Sequence, residues 1–212
     1  MSIIIRQEEE RDYRRVEEIA REAFWNLYFP GTDIPVVVNK LRRSSDFIKE
    51  LTYVIEVNGK VEGAIFYTNS KIIDKKEEEH KVISFGPVFI SPEFHRQGLG
   101  RKLITYTIEK AKEMGYRAII TLGYPYHYEP YGFLGGKKYG ISMPDMKFYR
   151  GLLVLPLYEG ALENISGYVI FSNDLEATQE EIEEFDKRVP YKEKGFQESQ
   201  LEYEKACAEL DE

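Results

Sequence analysis

A buried strand, a glycine-containing loop and an amphipathic helix follow one another between residues 82 and 115, and this unit restricts the fold more than any other part of the chain. Residues 82–90 are apolar and rich in β-branched side chains, which is typical of a buried strand. Apolar residues then recur with helical spacing at Leu99, Leu103, Ile104, Ile108, Ala111 and Met114. Gly115 follows, as expected just after a helix ends.

The loop of this unit has the features of an anion site. Gly98 and Gly100 lie where the loop becomes the helix, and they remove Cβ atoms where the backbone must approach a ligand closely. The first turn of a helix also presents unpaired N–H groups and the positive end of the helix dipole. No acidic residue occurs between Phe94 and Ile108, whereas basic residues occur there at Arg96, Arg101 and Lys102. The sequence therefore predicts a phosphate-binding loop.

Two common phosphate loops do not match this stretch. A P-loop requires Gly-Lys-Ser/Thr, but residues 100–103 read Gly-Arg-Lys-Leu and lack the hydroxyl that binds magnesium. A dinucleotide-binding loop requires a third glycine at position 103, which is leucine. The remaining pattern, Gln/Arg-x-x-Gly-x-Gly/Ala before a helix, resembles motif A of the GNAT acetyltransferases, whose backbone amides hold the pyrophosphate of acetyl-CoA. His95 departs from that motif, since the family usually has Gln or Arg there.

The resemblance implies a set of residues that bind acetyl-CoA. The residues implied for the pyrophosphate are His95, Arg96, Gln97, Gly98, Leu99, Gly100, Arg101 and Lys102. In the family the pantetheine arm lies where the fourth and fifth strands splay apart, which places it against the backbone of Val88 and Ile90. Phe89 between them is expected to face the other side of the sheet. A backbone N–H near Val88 is the expected donor to the thioester oxygen.

A second stretch, residues 123–133, resembles another signature of the same family, a short helix with tyrosine four residues before Gly-Phe. By this offset Tyr128 occupies the position of the general acid that protonates the departing thiolate, whereas Tyr126 and Tyr131 do not fit. The ordinary pKa of tyrosine is about 10, so the phenol is protonated at neutral pH and can donate. The structural alternative is that these aromatic residues plug the edge of the sheet.

The wider chain is similar to a bacterial branch of the family, the YhbS-like predicted N-acetyltransferases. This implies an α/β (α+β) GNAT-like fold: a single mixed, mostly antiparallel central sheet, splayed between the fourth and fifth strands and flanked by helices. The residue patterns predict strands at 3–6, 51–57, 60–70, 82–90, 117–122, 149–157 and 167–171. They predict helices at 12–24, 36–43, after Gly98 and at 178–185.

The charge of the chain suggests how it is organised. Residues 174–212 have 14 acidic and 5 basic side chains and a net charge of −9, whereas residues 1–173 have a net charge of +1. We interpret residues 1–173 as the GNAT acetyltransferase domain and residues 174–212 as an acidic helical extension that packs on it or trails from it. Residues after about 190 have few apolar side chains and are expected to be poorly ordered or to dock late.

Composition excludes several other classes of protein. No apolar run approaches the roughly 18 residues of a membrane span, and charges directly follow the apolar start, so no signal peptide is predicted. Cys207, the single cysteine, excludes an internal disulfide framework, and the three histidines lack the paired spacing of a zinc site. We therefore expect no metal site. We expect a cytoplasmic protein without a membrane partner and, since no basic stripe is present, without a nucleic-acid partner.

The leading functional hypothesis is an N-acetyltransferase that moves the acetyl group of acetyl-CoA to a primary amine of a small molecule, amino acid or peptide. The alternatives are a non-catalytic acyl-CoA-binding sensor module and, on the glycine loop alone, a nucleotide-binding regulator. The candidate substrate contacts are Tyr28, Phe29 and Glu62, and the candidate bases are Glu62, Asp33 and Glu129. The sequence leaves open whether the chain forms a homodimer through its C-terminal strands.

Overall fold

Residues 2–211, which the computed structural model describes, form nine strands and six α-helices. The strands are β1 (Ile3–Gln7), β2 (Tyr53–Val57), β3 (Lys60–Asp74), β4 (Glu79–Ile90), β5 (Ala118–Leu122), β6 (Leu134–Gly135), β7 (Ile141–Ser142), β8 (Leu152–Pro156) and β9 (Gly167–Ile170). The α-helices are α1 (Tyr13–Phe24), α2 (Ile34–Leu41), α3 (Leu99–Glu113), α4 (Pro125–Tyr128), α5 (Gln179–Asp186) and α6 (Glu198–Ala208). In this range no helix combines the length and the apolar character needed to cross a membrane.

All nine strands belong to one mixed sheet. Its main path runs β1-β2-β3-β4-β5-β8-β6, and β9 pairs with β3 and β7. β4 and β5 are parallel neighbours connected through α3, as the predicted β-α-β crossover requires. The pairs β1–β2, β2–β3, β3–β4 and β5–β8 are antiparallel. The predicted mixed, mostly antiparallel sheet is therefore confirmed.

The sheet opens between β4 and β5. Among the described residues these strands share two paired positions, Ile83 with Ile119 and Ser84 with Ile120. At the next position a side chain replaces the backbone donor: the Thr121 hydroxyl donates to the Phe85 carbonyl at 3.1 Å. After Ser84, no described residue of β4 pairs with β5. The predicted separation of the fourth and fifth strands is confirmed.

Helices cover both faces of the sheet. α3 packs against β2, β3 and β4 on one face, and α1 packs against β3 and β4 on the other, with α2 beside it. Val88 packs against the apolar cluster under α3, whereas Phe89 belongs to the cluster under α1 and α2. Successive residues of β4 thus face opposite sides, which confirms the predicted orientation of Phe89.

The C-terminal residues dock onto the body of the protein, and they include α6, which the residue patterns do not predict. The Trp25 indole N–H donates to the Glu193 carbonyl at 2.9 Å. The rings of Tyr28 and Tyr203 stack with their centroids 4.2 Å apart. Such contacts combine side-chain-to-backbone hydrogen bonds with isolated rings, so they leave no periodic apolar face in the sequence.

A buried tyrosine predicts how the stability of the fold depends on pH. Tyr67 lies in β3 with no exposed surface, and its hydroxyl hydrogen-bonds the Thr107 hydroxyl at 3.0 Å. Burial raises the pKa of Tyr67 above its ordinary value of about 10. Above pH 10 the unfolded chain loses this proton and the folded chain keeps it. The stabilising contribution is therefore complete below pH 10 and is lost as the pH rises through the folded pKa.

In a Tyr67→Phe variant we expect the free energy of unfolding to fall less steeply between pH 10 and 11, by up to about 1.4 kcal/mol over that unit. At pH 7 the variant should be less stable by about 1 kcal/mol, since the Thr107 hydroxyl loses a partner. Urea unfolding at pH 7, 10 and 11 measures both effects. Tyr191→Phe is the control, because Tyr191 is 90% exposed. Equal slopes for wild type and Tyr67→Phe would contradict this account.

Candidate active site

The N-terminal turn of α3 leaves its backbone N–H groups free. Gly98, the residue before the helix, has φ +81°, in the left-handed region that favours glycine. The first backbone bond of the helix runs from the Lys102 N–H to the Gly98 carbonyl at 3.1 Å. In the described part of the chain, no protein group accepts a hydrogen bond from the N–H groups of Gly98, Leu99, Gly100 and Arg101. The turn therefore presents four adjacent donors.

Positive charge surrounds this turn. The side chains of Arg96, Arg101 and Lys102 are exposed, and within residues 2–211 none of the three forms an ion pair. A Cβ added at Gly98 would meet no atom within 4 Å, and one at Gly100 would meet only Ile90, at 3.6 Å. The backbone of both glycines is thus open on the side where a Cβ would stand. Donors, helix dipole and unpaired cations together attract an anion such as a pyrophosphate.

Three other side chains of the motif contact the protein itself. His95 Nε2 donates to the Ile90 carbonyl at 2.9 Å, and Gln97 Nε2 donates to the Glu93 carbonyl at 3.0 Å. The Leu99 side chain is buried in the core. These side chains shape the loop, whereas the remaining residues of the motif offer charge or free N–H groups.

The edge of β4 directs backbone groups into the gap between the strands. The Ser91 N–H donates to the Glu62 carbonyl of β3 at 2.7 Å, so the backbone of Ser91 faces β3. Successive residues of a strand direct their backbone groups to opposite sides, and therefore Ile90 and Val88 direct theirs away from β3. The Ile90 carbonyl already accepts from His95. The gap thus offers the Val88 N–H and C=O groups and the Ile90 N–H to an extended ligand.

Tyr128 lies where the gap begins. Its ring packs against Phe85, at a centroid distance of 5.4 Å, and against Phe133, at 5.8 Å. Gly123 makes room for the ring, since a Cβ at this position would overlap it. Burial raises the pKa of Tyr128, and the neighbouring phenol of Tyr28 acts in the same direction. Within residues 2–211 its hydroxyl has no hydrogen-bond partner, so a protonated phenol is available to a ligand.

A cavity of about 560 Å³ opens at the end of β5. Its walls come from distant parts of the chain: Tyr28 between α1 and α2, Tyr124 just beyond β5, and Tyr203 of α6. Burial raises the pKa of Tyr28 to about 12, so this phenol is neutral at neutral pH. Gly123 lines the cavity and also touches the Tyr128 ring. The cavity therefore adjoins the gap in the sheet.

The three predicted substrate contacts lie in different places. Tyr28 lines the cavity, whereas its neighbour Phe29 is 37% exposed and is absent from the described lining. Glu62 is buried, and its carboxylate forms an ion pair with Arg15 at 2.7 Å on the wall of a separate cavity. The structure thus brings Tyr28, and not Glu62, to the cavity beside Tyr128.

The other two predicted bases also differ in their surroundings. Asp33 precedes α2 and is partly buried, and burial raises the pKa of its carboxyl group. The charge of Asp33 also acts on Tyr203 in the cavity wall and raises the pKa of that phenol further. Glu129 follows α4 and is exposed. Asp33 is therefore the one partly buried carboxylate of this set of two, and it is absent from the described lining of the cavity.

α6 contributes to the site, although no pattern in the sequence predicts this. Tyr203, Ala206 and Cys207 line the cavity, and Gln200 Nε2 holds the helix by donating to the Asn26 carbonyl at 2.9 Å. These last two residues are 174 positions apart. Tyr203 in this largely polar helix is a sequence signal for docking, but it does not indicate which surface the helix covers.

A polar cluster lies at the opposite end of β4. Asp74, Glu78 and His80 bring potential metal-ligand atoms within 4.8 Å of one another. Asp74 already accepts hydrogen bonds from His80 and from two backbone N–H groups, which lower the pKa of its carboxyl group to about 2. The cluster stabilises the turn between β3 and β4, about 30 Å along the strand from Ile90.

Comparisons with known proteins connect this geometry to a family. The model of the acetyltransferase (GNAT) family matches residues 10–133. A protein of Escherichia coli (strain K12), the uncharacterized N-acetyltransferase YhbS, is 28% identical over 113 residues, which cover 48% of this chain and 68% of that protein.

Two solved structures have the same fold. E. coli YhbS in complex with CoA superposes with a TM-score of 0.71 at 22% identity and covers 81% of this chain and 91% of that one. A GNAT family acetyltransferase from Brucella melitensis in complex with acetyl-CoA gives a TM-score of 0.66 at 21% identity and covers 82% and 99%. Since the family model spans more than half of the 212 residues, this protein belongs to the GNAT family of acetyltransferases.

Proposed function

We propose that this protein is an N-acetyltransferase that moves the acetyl group of acetyl-CoA to a primary amine by direct attack, with Tyr128 as general acid. The observation that carries this proposal is the row of free N–H groups at α3 beside an open gap in the sheet. A pyrophosphate requires several donors and positive charge, and an extended arm requires an unpaired strand edge. Both related solved structures support the choice of ligand, since one contains CoA and the other acetyl-CoA.

Each part of the ligand has a matching element in the chain. The N–H groups of residues 98–101 would hold the pyrophosphate, with Arg96, Arg101 and Lys102 neutralising its charge. The backbone groups of Val88 and Ile90 would pair with the pantetheine arm in the gap. Acetyl-CoA supplies an acetyl group activated as a thioester.

The residues at the gap then stabilise the charges that develop. The Val88 N–H donates to the carbonyl oxygen as that oxygen becomes negative, and such a donor typically contributes about 3 kcal/mol. Tyr128 donates to the sulfur as the carbon–sulfur bond breaks. Burial raises the pKa of Tyr128, and an ordinary thiol has a lower pKa, about 8.5. The phenol therefore stays protonated and stabilises the thiolate through a hydrogen bond before the proton moves.

The attacking amine must be neutral, so a base has to remove its proton. The Glu62 carboxylate is held by Arg15, and Glu129 is exposed to water. Asp33 is partly buried, and its raised pKa makes it a better proton acceptor than an ordinary aspartate. These surroundings favour Asp33 among the three predicted bases.

Two measurements on the purified protein test this function. Titration calorimetry is expected to show binding of acetyl-CoA, and a free-thiol assay is expected to show release of CoA only when a primary amine is added. The amine panel should include small amines, amino acids and short peptides. Binding of acetyl-CoA without thiol release for any amine of the panel would overturn the enzyme in favour of the non-catalytic sensor module. Thermal protection by ATP or NAD but not by acetyl-CoA would overturn the proposal in favour of a nucleotide-binding regulator.

A further inference from the structure

The cavity at the end of β5 is apolar and aromatic in character. Four tyrosines line it, together with apolar side chains that include Leu122 and Met143. Among the described lining residues a single side chain, Asp145, carries a charge, and there is no arginine, lysine or histidine. A ligand in this cavity therefore contacts rings, aliphatic groups and phenol hydroxyls, and the described lining offers it no cation.

The charge of the lining selects against anionic ligands. An α-carboxylate or a phosphate taken out of water is best stabilised by a cationic partner, and burial of either group without one is unfavourable. The Tyr149 hydroxyl donates to Asp145 at 2.7 Å and lowers the pKa of that carboxyl group, so Asp145 is ionised at neutral pH. Lys147, which is outside the described lining, lies 3.7 Å from the same carboxylate and offsets part of its charge, so the selection against anions rests on the lack of a cation in the lining itself. Neutral and cationic molecules are therefore admitted, and free amino acids and phosphorylated amines are disfavoured.

The size and surfaces of the cavity define the body of the ligand. About 560 Å³ falls in the range of small-molecule sites, roughly 300–1,000 Å³. Tyr28 and Tyr203 already stack on each other, and rings of this kind prefer offset or edge contacts with a further ring. A flexible polyamine would need several carboxylates, but the described lining has one. An aromatic or similarly bulky apolar group matches these walls better.

We infer that the acceptor is a small primary amine with an aromatic or otherwise apolar body and without a carboxylate or phosphate, and that α6 forms part of the wall that recognises it. This inference rests on the proposed acetyl transfer. In that reaction the amine nitrogen bonds the acetyl carbon, the carbon–sulfur bond breaks, and the sulfur leaves as the CoA thiol. The amine loses one proton to the base and the thiolate gains one, so the products are a neutral amide and a thiol.

A matched pair of amines tests the substrate class. In the thiol-release assay, kcat/KM for 2-phenylethylamine is expected to exceed that for phenylalanine, which adds only a carboxylate, by at least about 10²-fold. It is expected to exceed that for spermidine by at least about tenfold. Equal or greater kcat/KM for phenylalanine or spermidine would overturn the inference.

Calorimetry separates the two proposals. 2-Phenylethylamine is expected to bind the protein in the presence of CoA, which measures the cavity without any turnover. Binding of this amine with no thiol release from any amine would overturn the acetyltransferase proposal and uphold the assigned ligand class. Turnover of other amines with no binding of 2-phenylethylamine would uphold the acetyltransferase proposal and overturn the assigned ligand class.

Two variants test the role of α6 and of the charge. Ala206 lines the cavity, so Ala206→Trp is expected to raise KM for 2-phenylethylamine at least about tenfold and to leave the Kd of acetyl-CoA unchanged. Ala208→Trp, on the same helix and outside the described lining, is the matched control.

Should Ala206→Trp fail to fold, Asp145→Lys tests the inference instead, because Asp145 is exposed and the fold tolerates its replacement. It is expected to reduce the preference for 2-phenylethylamine over phenylalanine at least about tenfold. An unchanged preference, or an unchanged KM in folded Ala206→Trp, would contradict the inference.

Discussion

Replacing Tyr128 by phenylalanine is expected to lower kcat about 10²-fold and to leave the Kd of acetyl-CoA nearly unchanged. The substitution removes only the hydroxyl, and the ring keeps its contacts with Phe85 and Phe133. No hydrogen bond within the described protein is lost, so the stability of the fold should not fall. The departing sulfur, by contrast, loses its donor. Steady-state thiol release and titration calorimetry measure the two constants.

The neighbouring Tyr126→Phe is the matched control, since Tyr126 is 64% exposed and should retain wild-type kcat. The pH profile adds a second readout. Wild-type activity should rise with pH as the amine loses its proton. It should not decline before about pH 10, because burial raises the pKa of Tyr128 above its ordinary value. Wild-type turnover in Tyr128→Phe would remove the residue from the mechanism and leave it as an aromatic plug of the sheet edge.

Reversing the charge of Arg101 is expected to weaken the binding of acetyl-CoA and to increase the stability of the fold. Arg101 lies in the first turn of α3, where a negative side chain interacts favourably with the helix dipole, so Arg101→Glu should gain about 0.3–1 kcal/mol of stability. The same carboxylate would stand beside the pyrophosphate. At an effective dielectric constant of about 20, two unit charges 4 Å apart interact by about 4 kcal/mol, and solvent screening reduces this. The Kd of acetyl-CoA should therefore rise by about 10²-fold.

Lys112→Glu changes the net charge equally at the other end of the same helix. Position 112 lies about 16 Å away along the axis, beyond the Debye length of about 8 Å in physiological salt. Its effect on the Kd should stay within about twofold. Its stability should fall, because a negative charge is unfavourable at a helix C-terminus and the Lys112–Glu109 ion pair is lost. Calorimetry and thermal unfolding of both variants give the comparison. Unaltered acetyl-CoA affinity in Arg101→Glu would refute the binding site at this turn.

The part of the fold that the sequence predicts well is the part whose information is local. β4 and α3 follow from the apolar pattern of residues 82–90 and from helical spacing after Gly98. The left-handed conformation at Gly98 belongs to the same local signal, because glycine adopts it without strain.

The rest of the site depends on contacts that no local pattern encodes. Glu62 lies on a strand, where a substrate contact is plausible, but Arg15 of α1, 47 residues earlier, donates a hydrogen bond to its carboxylate. The sequence does not indicate whether the His95 ring faces a phosphate or the protein, and in the structure it hydrogen-bonds the Ile90 carbonyl. The cavity is formed by segments that meet only in the folded chain, as Tyr28 and Tyr203 do. Side-chain rotamers and long-range docking are set by packing, and propensity does not reveal them.

The docking of α6 across the cavity has a consequence for what can reach the acetyl group. A chain ending before Glu198 would keep the free turn of α3 and the gap beside Val88, but the wall formed by Tyr203 and Ala206 would be missing. Water would then enter beside the thioester and compete with the amine as nucleophile. In the proposed reaction, α6 therefore favours transfer of the acetyl group to the amine over hydrolysis of the thioester.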